Sequence, residues 1–198
     1  MDVGQVASPR AAFYFDLGSP LAYLAAEQVL QLLPGAAEWQ PVLGAQLPGG
    51  ETFEGFRCET ELDVFRAETA RRAQELGLQP LRLPDPFPFD SALAMRVATY
   101  AKSIGRTVPF AQAAFRQAFA GGRSLAEQDN VLIAAAACEM HPSAVLRGAA
   151  LRSISEQLRA GTEAAAARGV RGVPAVAVGT RVFHGERGLA DAAAAMQA

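Results

Sequence analysis

The chain has 198 residues, of which 51% are hydrophobic and 19% are charged, and its formal net charge is −2. This length suits one domain with a continuous core, or a small domain carrying a large insertion, and the composition argues against a disordered chain. Because no basic stripe is present, we expect no nucleic-acid partner, and nothing in the sequence indicates a membrane partner.

The N-terminal segment and the cysteines indicate the cellular compartment. Residues 1–12 lack a basic start followed by an apolar run, so we expect no secretory signal and a cytoplasmic protein. Cys58 and Cys138 lie far apart and form neither a CxxC pair nor a zinc-ligand cluster. We expect both to be ordinary, partly buried thiols, and we predict no metal site.

The first part of the chain predicts a strand, a tight turn, a helix and a second strand. Residues 11–16 form the short apolar and aromatic run that a buried strand needs, and the run stops at Gly18-Ser19-Pro20. From Leu21 onward the apolar residues fall largely along one helical face, until Pro34-Gly35 ends the helix. Residues 37–43 then predict the second strand.

The rest of the chain is mostly helical and ends in a hairpin and a helix. A helix is predicted over residues 61–76, followed by a proline-rich connector. Residues 91–168 predict four or five short helices, because helix-forming residues alternate there with Gly and Pro. Residues 175–178 and 181–184 predict two strands joined by a tight turn, and residues 190–197 predict a closing helix.

The order of these elements predicts the fold. A β-α-β unit at the front and an α-β-β-α unit at the back make an α/β, thioredoxin-like fold with a large all-helical insertion. We expect residues 10–46 and 157–198 to form the thioredoxin-like domain and residues 47–156 to form the inserted helical domain. Periodicity by itself supports only an α/β protein with a helical insertion.

Two segments carry a resemblance to a known family. FYFDLGSPLAYLA near the start and GVRGVPAVAVGTRVFHG near the end resemble the glutathione-dependent branch of the DsbA-like proteins, namely 2-hydroxychromene-2-carboxylate isomerases and kappa-class glutathione transferases. The segments RRAQELGL, PDPFPFDSALAMRVATYAK and FRQAFAGGRSL are also similar, so the resemblance covers nearly the whole chain. It implies glutathione as cofactor, a small aromatic or electrophilic substrate, and a homodimer.

Ser19 stands where redox relatives begin their CxxC motif. The aligned residues here are Ser19-Pro20-Leu21-Ala22, so no disulfide can form at this place. Because Pro20 suits the first helical position, the Ser19 hydroxyl should lie beside the unpaired N–H groups and positive end of the helix, where an anion is stabilised. The resemblance implies that Ser19 is catalytic and donates a hydrogen bond to the glutathione thiolate. The alternative is that Ser19 only caps the helix.

The second motif is Gly172-Val173-Pro174. The resemblance implies a cis Val173-Pro174 bond that leaves the Val173 backbone free to pair with glutathione, whereas the alternative is an ordinary trans turn. It also places Gly185 and Glu186 beside the amino-terminal end of the tripeptide, so these residues and Val173 and Pro174 are the candidate cofactor-binding residues.

Three positions depart from the family pattern, and two histidines need an interpretation. Glu186 stands near the place of the usual Asp, a Lys expected ahead of RRAQELGL is missing from residues 61–65, and Asp90 replaces an Asn, where its carboxylate would repel an anionic ligand. His141 and His184 belong to no metal-ligand spacing, and we expect structural roles for both.

Two functions remain open. The first is a glutathione-dependent isomerase of the 2-hydroxychromene-2-carboxylate isomerase type, in which the thiolate adds to an aromatic pyruvate, or a kappa-type glutathione transferase. The alternative is a DsbA-like protein without redox cysteines that binds a peptide or a small ligand. We expect the helices of residues 91–168 to pack as one layer and to supply an apolar wall for the substrate. The candidates for this wall are Phe87, Phe89, Phe110, Phe115 and Phe119.

Overall fold

A four-stranded mixed sheet lies at the centre of the computed structural model, which describes residues 10–50, 55–185 and 187–197. Its strands are β1 (Ala11–Phe15), β2 (Ala37–Pro41), β3 (Ala175–Val178) and β4 (Arg181–His184). The strand order is β2-β1-β3-β4, with β1 parallel to β2 and the other neighbours antiparallel. This is the predicted thioredoxin-like arrangement.

Eight α-helices and one short 3₁₀ helix surround the sheet in the described part of the chain. The α-helices are α1 (Pro20–Leu32), α2 (Glu59–Glu75), α3 (Ala92–Ser103), α4 (Thr107–Phe119), α5 (Gln128–Ala136), α6 (Pro142–Ala149), α7 (Arg152–Ala167) and α8 (Gly188–Gln197), and the 3₁₀ helix is Gly44–Gln46. The five helices from α3 to α7 confirm the helical segment expected over residues 91–168.

Both faces of the sheet are covered, which corrects the expectation of a single helical layer. Side chains alternate along a strand, so Phe13 and Phe15 pack on one face with α1, α3 and α4, while Tyr14 points to the other. The C-terminal half of α7 packs on that second face, where Ala165 joins the cluster around Tyr14. The second face needs this cover because every residue of β3 is apolar. With the cover in place, all four of them are buried.

Aromatic rings connect the sheet to the helical layer. Phe15 of β1 and Phe115 of α4 have ring centroids 5.9 Å apart, and Tyr23 of α1 and Phe119 of α4 are equally close at 5.9 Å. Phe110, Phe115 and Phe119 are fully buried, at 0% exposure. The prediction that these three phenylalanines line a substrate cleft is therefore wrong, because α4 turns this face toward the core.

Candidate functional site

Ser19 is the N-cap of α1 and is separated from the end of β1, one of the two central strands, by residues 16–18. Its backbone N–H donates to the Asp16 carbonyl at 3.1 Å, and its Oγ accepts from the Ala22 N–H at 3.1 Å. Pro20 occupies the first helical turn, as predicted. A hydroxyl that accepts one hydrogen bond keeps its proton for donation, so the cap and a contact to a bound anion are compatible.

The turn before Ser19 is held by a buried carboxylate that sequence reasoning missed. Asp16 is 1% exposed, and its two oxygens accept from the Gly18 and Gly44 N–H groups, each at 2.8 Å. Burial raises the pKa of Asp16, while these two N–H groups act in the opposite direction. An aspartate at the end of a buried strand, just before Gly18-Ser19-Pro20, is the signal that could have revealed it.

The Val173-Pro174 peptide bond is cis, which confirms the prediction. Val173 precedes β3 and is half-buried. Among the described residues, neither the N–H nor the C=O of Val173 takes part in a hydrogen bond. A free pair of backbone groups at the start of a strand is the feature that an extended peptide can use.

Ser19 and Val173 line one cleft with a volume of about 580 Å³. Pro174 and Gly185 line the same cleft, while Glu186 lies outside the described residues. The apolar lining comes from α1, α2, β4, α8 and the connector before α3, namely Leu21, Leu24, Leu32, Phe65, Leu76, Phe87, Phe183 and Leu189. The cleft therefore places a capped helix terminus, a free peptide edge and an apolar chamber side by side.

The aromatic wall of the cleft is smaller than expected and includes a ring from α2. Phe87 lines the cleft as predicted, and Phe89 packs against it at 6.4 Å between ring centroids without belonging to the described lining. Phe65 of α2 stacks on Phe87 with centroids 6.2 Å apart and an interplanar angle of 12°. Nothing in the pattern of the α2 segment distinguishes Phe65, because charged residues are interspersed along the whole segment.

His184 and Arg171 both line the cleft and are in contact there. The Arg171 backbone N–H donates to Nε2 of His184 at 3.1 Å, so the neutral ring carries its proton on Nδ1. Burial, and then the charge of Arg171, lower the pKa of His184 below its usual value.

Asp90 is not part of the described lining of the cleft. Its carboxylate accepts from the Ala92 N–H at 2.8 Å, at the start of α3.

The described residues contain no group of three or more His, Cys, Asp and Glu side chains that could hold a metal ion. In the same ranges, every helix is too short or too polar to cross a membrane. Neither thiol belongs to the described lining of the cleft, and Cys58 at the start of α2 is exposed rather than partly buried as expected, while Cys138 after α5 is buried.

Similar solved structures share this fold. The structure of a 2-hydroxychromene-2-carboxylate isomerase matches with a TM-score of 0.82 and 21% identity, and the alignment covers 94% of both chains. A probable DsbA oxidoreductase from Streptomyces coelicolor matches with a TM-score of 0.74 and 19% identity, over 96% of this chain and 88% of that one. The cytosolic disulfide reductase DsbM from Pseudomonas aeruginosa, solved with GSH, matches with a TM-score of 0.63 and 15% identity, over 95% and 96% of the two chains.

No curated protein matches the sequence. At identities of 21% and below, the solved structures establish the fold alone. The family model described as "DSBA-like thioredoxin domain" matches residues 11–197, which is nearly the whole chain. The chain therefore belongs to the DsbA-like thioredoxin domain family.

Proposed function

We propose that this protein binds glutathione in the cleft and is a glutathione-dependent enzyme, either an isomerase of the 2-hydroxychromene-2-carboxylate isomerase type or a kappa-type transferase. One observation carries the proposal: the Ser19 hydroxyl at a helix N-terminus and the unpaired backbone of Val173 line the same cleft. Ser19 suits a thiolate and Val173 suits a peptide, and glutathione contains both.

The groups that the cleft presents fit the tripeptide. The free N–H and C=O of Val173 would hold its cysteinyl backbone as one more short strand. Gly185 and Glu186 would lie beside its amino-terminal end, as the family resemblance implies. Phe65 and Phe87 would pack against the apolar body of the electrophile.

The chemistry follows from the position of Ser19. When bound, glutathione supplies a thiolate nucleophile for an electrophilic substrate. The Ser19 hydroxyl would donate a hydrogen bond to that sulfur, and the start of α1 would add its positive end, so both would lower the thiol pKa. The protein's part is thus to position and to stabilise charge. The chain lacks the cysteine pair at Ser19-Pro20-Leu21-Ala22 that dithiol exchange requires.

The test is the pKa of the glutathione thiol when bound, measured as thiolate absorbance in the ultraviolet against pH. A hydrogen bond to a charged group contributes roughly 1.5–3 kcal/mol, so Ser19→Ala should raise this pKa by about one to two units. The exposed Ser155→Ala serves as the matched control and should leave the titration unchanged. If glutathione binds to Ser19→Ala with the wild-type titration, Ser19 is a helix cap and not a catalytic residue.

The second candidate is a DsbA-like protein that binds a peptide or a small ligand without catalysis. The predominantly apolar lining beside Val173 favours it, because such a cleft also suits an extended peptide with apolar side chains. Calorimetric titration separates the two functions. Glutathione binding in the micromolar to low-millimolar range supports the enzyme, whereas binding of apolar peptides without binding of glutathione supports the alternative.

We also propose that the protein is cytoplasmic and has an inserted helical domain at residues 47–156, as the sequence indicates, and that it is a homodimer, as the family resemblance implies. Light scattering of the purified chain tests the dimer, and a monomer at all accessible concentrations would contradict it. Fluorescence microscopy of a tagged protein tests the compartment. Limited proteolysis tests the division into domains, because cuts should concentrate near its boundaries.

A further inference from the structure

Arg171 lies two residues before Val173 on the wall of the cleft. Its backbone is held on both sides, since its N–H donates to Nε2 of His184 and its C=O accepts from the Gly49 N–H at 2.6 Å. A Cβ at Gly49 would lie 2.8 Å from the Arg171 carbonyl oxygen, so this close approach depends on glycine. These contacts therefore fix the position of the Arg171 backbone in the cleft, two residues before Val173.

The Arg171 side chain is exposed and forms no ion pair or hydrogen bond with any described residue. The other charged residues on the described lining differ in this respect. Arg72 donates to Glu68 at 2.9 Å, and Glu75 accepts from Arg71. Arg171 is thus the lining cation whose charge is not matched by a carboxylate in the described part of the chain.

The position of Arg171 bears on the direction of a peptide paired with Val173. Successive residues of an extended chain are about 3.3 Å apart, so two residues span about 7 Å, which is within reach of an arginine side chain. A ligand that runs antiparallel to residues 171–173 directs its carboxyl end toward Arg171. A ligand that runs parallel would place the γ-glutamyl end of glutathione there instead, where the α-amino group would repel the guanidinium and offset the attraction of the neighbouring α-carboxylate.

We propose that Arg171 binds the glycyl carboxylate of the bound tripeptide, and that this contact fixes the antiparallel direction of its pairing with Val173. The inference rests on the proposed function, since it concerns the same ligand in the same cleft. Guanidinium and carboxylate groups form charge-assisted hydrogen bonds, so the contact would add both affinity and orientation. The ligand class is then a short peptide whose free carboxylate lies one residue beyond the residue paired with Val173.

Isothermal titration calorimetry with glutathione and with glutathione amide, in which the glycyl carboxylate is replaced by a neutral amide, tests the proposal. For the wild type, we expect the amide to bind about ten- to a hundredfold more weakly than glutathione. Arg171→Ala should lose a similar factor for glutathione and should no longer distinguish the two ligands. Arg123→Ala, which removes an exposed charge outside the described lining of the cleft, should behave as the wild type.

The outcomes separate this inference from the function on which it rests. Equal affinity of the wild type for the two ligands overturns the role of Arg171 and leaves glutathione binding intact. This comparison uses the unaltered protein, so it decides the question even if Arg171→Ala does not fold. Absence of glutathione binding to the folded wild type overturns both proposals.

Discussion

Asp16→Ala is expected to destabilise the protein by about 2–6 kcal/mol. The Asp16 carboxylate accepts hydrogen bonds from the buried Gly18 and Gly44 N–H groups, both at 2.8 Å, and alanine would leave both donors unsatisfied. Each buried, unsatisfied N–H costs about 1–3 kcal/mol, which gives the range. Because the free energy of unfolding of a domain is about 5–15 kcal/mol, this loss should be readily detected in an unfolding assay.

The assay is urea unfolding followed by the fluorescence of Trp39, the single tryptophan of the chain, which is 2% exposed in the folded protein. Asp16→Asn should lose about 1–3 kcal/mol, because its amide oxygen can satisfy one of the two N–H groups and its NH₂ cannot satisfy the other. Asp63→Ala is the control, since Asp63 is exposed and its ion-pair partner among the described residues is Arg66 on α2, and it should cost less than about 0.5 kcal/mol. If both Asp16 variants unfold as the wild type does, the carboxylate does not hold the turn.

The pH dependence of the Asp16→Ala effect has a defined sign. Burial raises the pKa of Asp16 in the folded state, so the folded protein binds this proton more readily than the unfolded chain. The stabilisation that comes from this proton on Asp16 is fully present below the unfolded pKa of about 3.9. It is lost as the pH rises through the folded pKa. The difference in unfolding free energy between wild type and Asp16→Ala should therefore be larger near about pH 4 than near about pH 8. A difference that is independent of pH would refute the raised pKa.

Three further substitutions test other parts of the structure. Gly148→Ala would place its Cβ 2.4 Å from ring carbons of Tyr100, so it should cost about 1–3 kcal/mol in urea unfolding, and Tyr100→Ala in the same chain should relieve part of that loss. The pKa of His184 is lowered in the folded state, so wild-type melting temperature should fall as the pH drops below about 6.5, and His184→Phe should remove this dependence. Phe119 is fully buried, so Phe119→Ala should cost about 3–5 kcal/mol, whereas Phe87→Ala should cost less and should weaken binding of an apolar electrophile.

The parts of the site that could be predicted are those with a local signal. The apolar run before Gly18-Ser19-Pro20 marks the end of a strand and the start of a helix, and the structure has both within a residue of the expected positions. The cis bond before Pro174 and the two strands after it were also predicted from a short segment together with the family resemblance.

The parts that could not be predicted depend on contacts between distant segments. The partner of Asp16 at Gly44 lies 28 residues away, and no periodic pattern connects the two. Helical periodicity also shows that α4 is amphipathic without showing whether its apolar face meets the core or the cleft. For this reason the sequence predicts Phe115 in the wall of the cleft and does not predict Phe65, which lies on a helix rich in charged residues.

The pairing of β1 with β3 has a consequence for how the protein folds. Tyr14 lies opposite Ala175, which brings the end of β1 beside the start of β3 although most of the chain separates them. The two halves of the cleft at Ser19 and Val173 therefore come together only when this long loop closes, a step whose entropy opposes early formation. A chain with only its helical segment formed would have no complete cleft, so a ligand that needs both halves would bind only to a fully assembled molecule. A protease cut between α3 and α7 would leave these halves on separate fragments, held together by the β1–β3 pairing and by the packing around it.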